Sequence, residues 1–195
     1  MKSFLAGLAI LIAGFVFTPP AHAQKHVEVG VFADYFRLSE TPKNFWGLGG
    51  RGAVTLGPNA QFEAELAYDF EQSFGEAFTS PTTGTVSFNR SNVRIFHGFF
   101  GPEFHSPGER PIVGFATIKG GFINFNFDDR PATLGTFFGN FDDFRGVTKG
   151  TLYPAAGLKG FVGPVGVRFE IGDEIYWMHG GHNNLRVTFG PTIRF

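Results

Sequence analysis

The residues best suited by type to do chemistry are few and scattered. His179 and His182 stand in HGGH, a spacing at which two imidazoles reach one ion. Two ligands fall short of the roughly four that a structural zinc takes. Ser39 and the loop serines and threonines offer a nucleophile, and the two histidines a base, but no motif joins them. Phe127–Asp129 and Phe141–Asp143 both read FDD; such carboxylate pairs suit calcium, but the spacing of an EF-hand loop is missing. Gly47-x-Gly49-x-x-Gly52 spells a dinucleotide fingerprint. That mechanism needs a strand, a turn and then a helix, whereas AVTLG, which follows, is more strand. These spacings point to no catalytic residue, no metal and no cofactor.

A second set of residues is more orderly. Glu28, Asp34, Glu63, Glu65, Asp69, Glu170 and Glu174 share one phase of an alternating pattern, with Arg51, Arg94, Lys119, Lys159, Arg168, Arg186 and Arg194. Acids and bases balance. Unpaired buried charge is very costly, so the balance predicts mutual pairing inside a narrow interior. Arg51, Glu63, Glu65, Arg94, Lys119, Lys159, Arg168, Glu170 and Arg186 are the expected network. His97 and Asp173 fall off this phase, which predicts bulges or positions near lipid headgroups.

The elements that carry these charges read as strands, because apolar and polar residues alternate. The cleanest is AQFEAELAYDF, where Phe62, Ala64, Leu66, Tyr68 and Phe70 alternate with Gln61, Glu63, Glu65, Ala67 and Asp69. HVEVGVFADYF, FWGLGGRGAVTL, NVRIFHGFFG, RPIVGFATIKGGF, LYPAAGLKGFV, GVRFEIGDEIYW and NNLRVTFGPTIRF complete a set of about eight, the smallest size of a single-chain outer-membrane barrel. Tight turns at Gly57–Asn59 and Val162–Val165, with HSPGE at His105–Glu109, alternate with longer loops. Those loops lie near Leu38–Asn44, Glu71–Asn92, Asn126–Gly150 and His179–Asn183. Short turns on one side and long loops on the other are the habit of an outer-membrane barrel. The expectation is an all-β, closed, antiparallel up-and-down transmembrane barrel. Tyr35, Phe36, Phe45, Trp46, Tyr68, Phe70, Phe125, Tyr176 and Trp177 are expected in its outer aromatic girdle, and Phe104, Phe161 and Phe195 in its inner one.

Composition sets bounds. There are 27 Phe and 28 Gly among 195 residues, and no cysteine. No disulfide can substitute for a core, so the chain needs its own core or a membrane. Lys2, the apolar run Phe4–Phe17, Pro19-Pro20 and Ala21-His22-Ala23 read as a signal peptide over residues 1–23, cleaved after Ala23. The domain expected to remain is 24–195. With 16 basic and 17 acidic residues, and Lys2 lost on cleavage, the balance argues against a nucleic-acid partner.

The last strand runs apolar-out to its final residue. Thr188-x-Gly190-x-x-Ile193-x-Phe195 resembles the C-terminal signal that barrel-assembly machinery reads on outer-membrane proteins. With GVRFEIGDEIY and GLGGRGAV, the chain resembles the small outer-membrane β-barrel family typified by the transmembrane domain of outer membrane protein A. The resemblance implies an outer-membrane location in a Gram-negative-type bacterium, lipid and the assembly machinery as partners, and no catalytic site. It also implies a non-enzymatic role in envelope integrity, adhesion or surface recognition through external loops toward an unidentified ligand. The chain shows no following periplasmic domain, so a wall-tethering role is not implied. The competing readings are an enzyme acting on lipid or peptide at the outer rim, a small pore, and a soluble lipocalin-like carrier with its apolar face inward.

Overall fold

The computed structural model describes residues 27–40, 43–79, 84, 86–106, 111–127, 147–177 and 180–195, with side chains except at 74–79 and 87–91. The expected signal peptide and both FDD triplets, apart from Phe127, lie outside these residues, as does His179.

The strands are β1 (Val27–Leu38), β2 (Lys43–Gly57), β3 (Ala60–Thr79), β4 (Val86–His105), β5 (Ile112–Phe127), β6 (Val147–Val162), β7 (Val165–Trp177) and β8 (Gly181–Arg194). Each pairs antiparallel with the next, and β1 pairs with β8, so the eight strands close into one barrel. All are longer than the roughly 9–11 residues a tilted strand needs to cross a bilayer. One end carries the tight connections. Between β6 and β7 only Gly163 and Pro164 intervene, and Gly163, at φ 63°, takes the left-handed conformation that such a turn requires.

Alternation decides which way the barrel faces. Val31, Leu48, Leu66, Phe100, Ile118, Leu158, Phe169 and Phe189, one from each strand, point outward and are exposed. Glu63, Glu65, Lys119, Arg168, Glu170 and Arg186 point inward and are buried. This inverts a water-soluble domain, and it excludes the carrier reading, whose apolar face would line the inside. Lipid around the wall would satisfy it, since closure leaves no strand edge unpaired within the wall.

Three details differ from the sequence expectations. The segment expected as a loop at 71–92 is mostly strand: β3 and β4 remain paired from Gln72↔Val93 to Thr79↔Val86, beyond a register shift between Asp69 and Gln72. Neither flanking strand follows them, because the pairing of β2 with β3 ends at Gly47↔Asp69 and β5 ends at Phe127, opposite Val93. A two-stranded ribbon therefore stands above the loop end of the barrel. Its polar composition hid it, because a ribbon outside the wall need not alternate.

The second difference is a phase slip in β4. Val93, Ile95, His97 and Phe99 point inward and are buried, so Arg94 points outward, at the loop end, where its Nε lies 3.2 Å from Glu71. Arg94 therefore lies outside the interior network in which the sequence placed it, and His97 is on the inward phase after all. Phe96 and Phe100 on the other face are aromatic too, which left this strand without a readable alternation. Asp173 does lie on the outward phase, in unbroken register with Leu185 and without a bulge.

The third concerns the outer girdle. Tyr35, Trp46, Tyr68, Phe70 and Trp177 face outward as expected, but Phe36, Phe45, Phe125 and Tyr176 are buried inside. They pack with Leu38, Val93, Ile95, Ile123 and Phe127 into one apolar cluster that fills the barrel at its loop end.

Candidate functional site

Among the described residues the interior is where the strands bring most of the charged side chains together, and it is built in layers. At mid-height, Lys119 Nζ on β5 lies 2.6 Å from Glu63, 2.8 Å from Glu65 and 3.0 Å from Glu170. Arg51 on β2 donates to Thr188 at 2.8 Å and to Glu170 at 3.3 Å. Arg168 on β7 pairs with Glu63 and Glu170, and lies 2.8 Å from Glu103. Arg186 on β8 grips Asp34 through Nε and Nη2 and reaches Glu65 at 2.6 Å. Lys159 bridges Glu28 at 3.1 Å and Glu103 at 2.7 Å, nearer the turn end. The structure thus joins eight of the nine expected residues, all but Arg94, into a continuous chain of ion pairs.

Sequence reasoning passed over two members. Glu103 lies in a stretch of β4 whose phase was unreadable. His97 was set aside as off phase, yet its two ring nitrogens each lie 3.0 Å from a carboxylate, Asp69 on one side and Glu174 on the other. An imidazolium donates from both nitrogens, which is what two carboxylate neighbours ask for. The missed signal was an acidic residue at the facing position of two other strands.

Rings separate the charges. Phe32 stacks under Arg51 at 4.2 Å, Phe115 under Arg168 at 4.2 Å, and Phe99 and Tyr153 flank Arg186 at 4.9 and 5.1 Å. Guanidinium groups favour aromatic faces, and more so away from water. Glycines make the room: a Cβ on Gly49 would sit 2.2 Å from the Phe32 ring, and one on Gly47 would sit 2.2 Å from Asp69 Oδ1. Two letters of the nucleotide-like motif are therefore packing positions inside a strand.

Two acidic clusters resemble cation sites, Glu63–Glu103–Glu170 and Asp34–Asp69–His97. Arg168 bonds all three carboxylates of the first, and Arg186 and His97 bond the carboxylates of the second. Protein cations already supply the counter-charge.

Above the apolar cluster, residues of the loop end lock across the mouth. Glu40 accepts a hydrogen bond from Tyr176 Oη at 2.9 Å and lies 3.1 Å from His182 Nδ1. His182 stacks on Tyr176 at 5.1 Å. Ser39 directs its backbone N–H and its hydroxyl to Asn184 Oδ1, at 2.9 and 3.1 Å. A carboxylate orienting an imidazole is half of a hydrolytic arrangement, but the nearby hydroxyl is committed to an amide, not to the histidine.

The four positions of the C-terminal motif divide between the two faces. Ile193 and Phe195 are exposed on the outer wall, Phe195 to 61%. Thr188 is buried as the acceptor for Arg51. Gly190 faces the seam with β1, where a Cβ would lie 2.0 Å from Val31 O and 2.6 Å from Phe32 Cα.

No protein-family model matches this chain, and no curated protein sequence does. Solved structures do. Neisserial surface protein A aligns with a TM-score of 0.55 at 8% identity, over 87% of this chain and 96% of its own. Ail, the attachment invasion locus protein of Yersinia pestis, solved with the heparin analogue sucrose octasulfate, aligns with a TM-score of 0.51 at 13% identity, over 87% and 97%. The N-terminal β-barrel domain of Pseudomonas aeruginosa OprF aligns with a TM-score of 0.50 at 13% identity, over 88% and 98%. At such identities the likeness is one of fold, and the fold is that of the small eight-stranded outer-membrane β-barrels.

Proposed function

We propose that a chain with this fold is an integral outer-membrane protein of a Gram-negative-type bacterium, exported on a signal peptide cleaved after Ala23. Its role is non-enzymatic recognition or adhesion at the cell surface, with a contribution to envelope integrity. The observation that carries this reading is the division of the molecule into a sealed interior and a projecting ribbon. A barrel plugged by ion pairs and an apolar cluster offers no route through, and among the described residues of the rim no nucleophile is aligned with a base. What remains available to the outside is the β3–β4 ribbon together with the external loops. Ail, one of the structural neighbours, is described as an attachment invasion locus protein and was solved with a heparin analogue, which supports surface binding as a use of this architecture. Outer-membrane lipid contacts the wall, and the assembly machinery reads Thr188, Gly190, Ile193 and Phe195.

The test removes the ribbon alone. A variant with residues 73–91 replaced by a short Gly/Ser turn keeps every strand pair from Gln72↔Val93 down to the turn end. It is expected to fractionate with the outer membrane and to retain heat-modifiable migration, while cells displaying it lose adhesion to heparin-coated or extracellular-matrix surfaces. Adhesion equal to that of the intact protein would remove the ribbon from the reading. Recovery of the intact protein in the soluble periplasm would overturn the membrane reading altogether.

A further inference from the structure

Charge pairing inside the barrel is complete at mid-height and incomplete at the turn end. There a cavity of about 190 Å³ opens among residues of seven strands, Arg194, Phe161, Lys159, Glu28, His105 and Gln61 among them. Under the reading above this end faces the periplasm. We infer that the cavity is a binding site for a carboxylate group, with the Arg194 guanidinium as its anchor.

The argument begins with the charges on its wall. Glu28 is held by Lys159 at 3.1 Å and by the Thr192 hydroxyl at 3.0 Å. Glu103 is held by Lys159 at 2.7 Å, Arg168 at 2.8 Å and Gln61 at 2.8 Å, with His105 Nε2 at 3.1 Å. Glu28 is therefore satisfied, Glu103 is neutralised by Lys159 and Arg168 although its Oε2 accepts no hydrogen bond, and Lys159 is spent on the two of them. Arg194 is different. Its backbone N–H donates to Pro164 O at 2.9 Å, and its guanidinium carbon lies over the Phe161 ring, 4.1 Å from the centroid. Among the described residues no carboxylate pairs with it, and its Nε is buried without an acceptor. A guanidinium short of acceptors in a partly desolvated mouth carries unspent binding capacity.

The ligand class follows from three properties. Among the described residues one cation is uncompensated, so a monoanion balances it; a second negative charge would face Glu28 and Glu103. The guanidinium is itself a planar fork, here resting over the Phe161 ring, which suits the two-oxygen edge of a carboxylate. The volume admits a carboxylate with a few carbon atoms, and Phe161 and Val113 supply an apolar wall for them. A small free carboxylate and the C-terminal end of a periplasmic peptide share this chemistry.

The experiment uses the purified barrel refolded in detergent micelles, so it does not depend on adhesion or on which compartment the cavity faces. Backbone amide resonances of Gly57 and Val113, both on the cavity wall, are followed during titration with sodium acetate, with inorganic phosphate, and with acetyl-Gly-Ala as free acid and as amide, at constant ionic strength. Acetate is expected to shift them saturably and phosphate more weakly. Arg194→Gln should weaken acetate binding about tenfold, the value of one charge-assisted hydrogen bond, and Arg194→Lys, which keeps the charge but not the planar fork, by less. Should Arg194→Gln fail to refold, Phe161→Leu carries the test, because loss of the stacking ring should also weaken binding. A free-acid peptide that binds more tightly than acetate, while its amide does not bind, identifies a chain end; acetate binding at least as tightly identifies a small molecule. Unsaturable shifts, equal affinity in Arg194→Gln, or phosphate binding as tight as acetate would each overturn the inference.

Discussion

Glu65 shows what a single residue does in this interior. It accepts from Lys119 at 2.8 Å and Arg186 at 2.6 Å, and both cations are buried with it. Glu65→Ala leaves two cations short of a partner away from water, and Arg168→Ala strands parts of Glu63, Glu103 and Glu170. Removing one member of a buried pair typically costs about 3–5 kcal/mol. Both variants are expected to lower the urea midpoint of the refolded barrel far more than Ser106→Ala, whose side chain is exposed beside the β4 end. An unchanged midpoint would mean that these charges do not hold the barrel together. At this scale the sequence was most legible where acids and bases alternated with clear apolar neighbours, as in β3. It failed where the inside itself is apolar. Val93 and Ile95 are buried because the apolar cluster begins at their height, so β4 shows hydrophobic residues on both faces, and Arg94 and His97 exchanged sides in the reading.

At the scale of the strand, β8 carries two kinds of information in one stretch. The side chains of Ile193 and Phe195 lie on the outer wall, where little in the folded barrel depends on them, although the Phe195 backbone exchanges hydrogen bonds with Val27 at the end of the seam. Gly190 is required by the approach of β1, since a Cβ there would meet the Val31 carbonyl. The two substitutions should therefore separate. Deleting Phe195 is expected to reduce outer-membrane levels in cells several-fold while leaving refolding of the purified chain into detergent unchanged. Gly190→Ala is expected to impair both, because the strain persists wherever the barrel closes. Band-shift assays on membrane fractions and on refolded protein read the two cases. Normal cellular levels without Phe195 would remove the signal reading. The motif was legible as a spacing, but the reason for its glycine was not: it lies on the neighbouring strand, more than 150 positions earlier in the chain.

For the molecule as a whole, the filled interior sets the transport properties. Eight strands enclose a space that side chains can fill, and here ion pairs and rings occupy the middle while Phe36, Phe45, Phe125 and Tyr176 fill the loop end. An ion entering would have to displace paired charges and then cross an apolar section. Folded monomers in planar bilayers should show no steady conductance, and a stable ohmic step would favour the pore reading. Closure was legible from the count and parity of strands and from the alternation of short and long connections. The apolar upper section was not, because the residues that build it come from five strands and look, in each strand alone, like girdle aromatics.

The pairing of β1 with β8 has a further consequence for biogenesis. These strands are the first and last of the eight in chain order, and Arg186 to Asp34 and Thr192 to Glu28 are the polar stitches across their junction. Within that junction the ladder passes from Gly30↔Thr192 to Ala33↔Phe189, and the intervening Val31 and Phe32 stand opposite Pro191, which has no N–H to give, and Gly190, which has no side chain. Until β1 and β8 meet, the sheet has two raw edges and a greasy convex surface, and no described residue covers either. The molecule is therefore committed to an escort for the whole of its journey, and its clasp is fastened last.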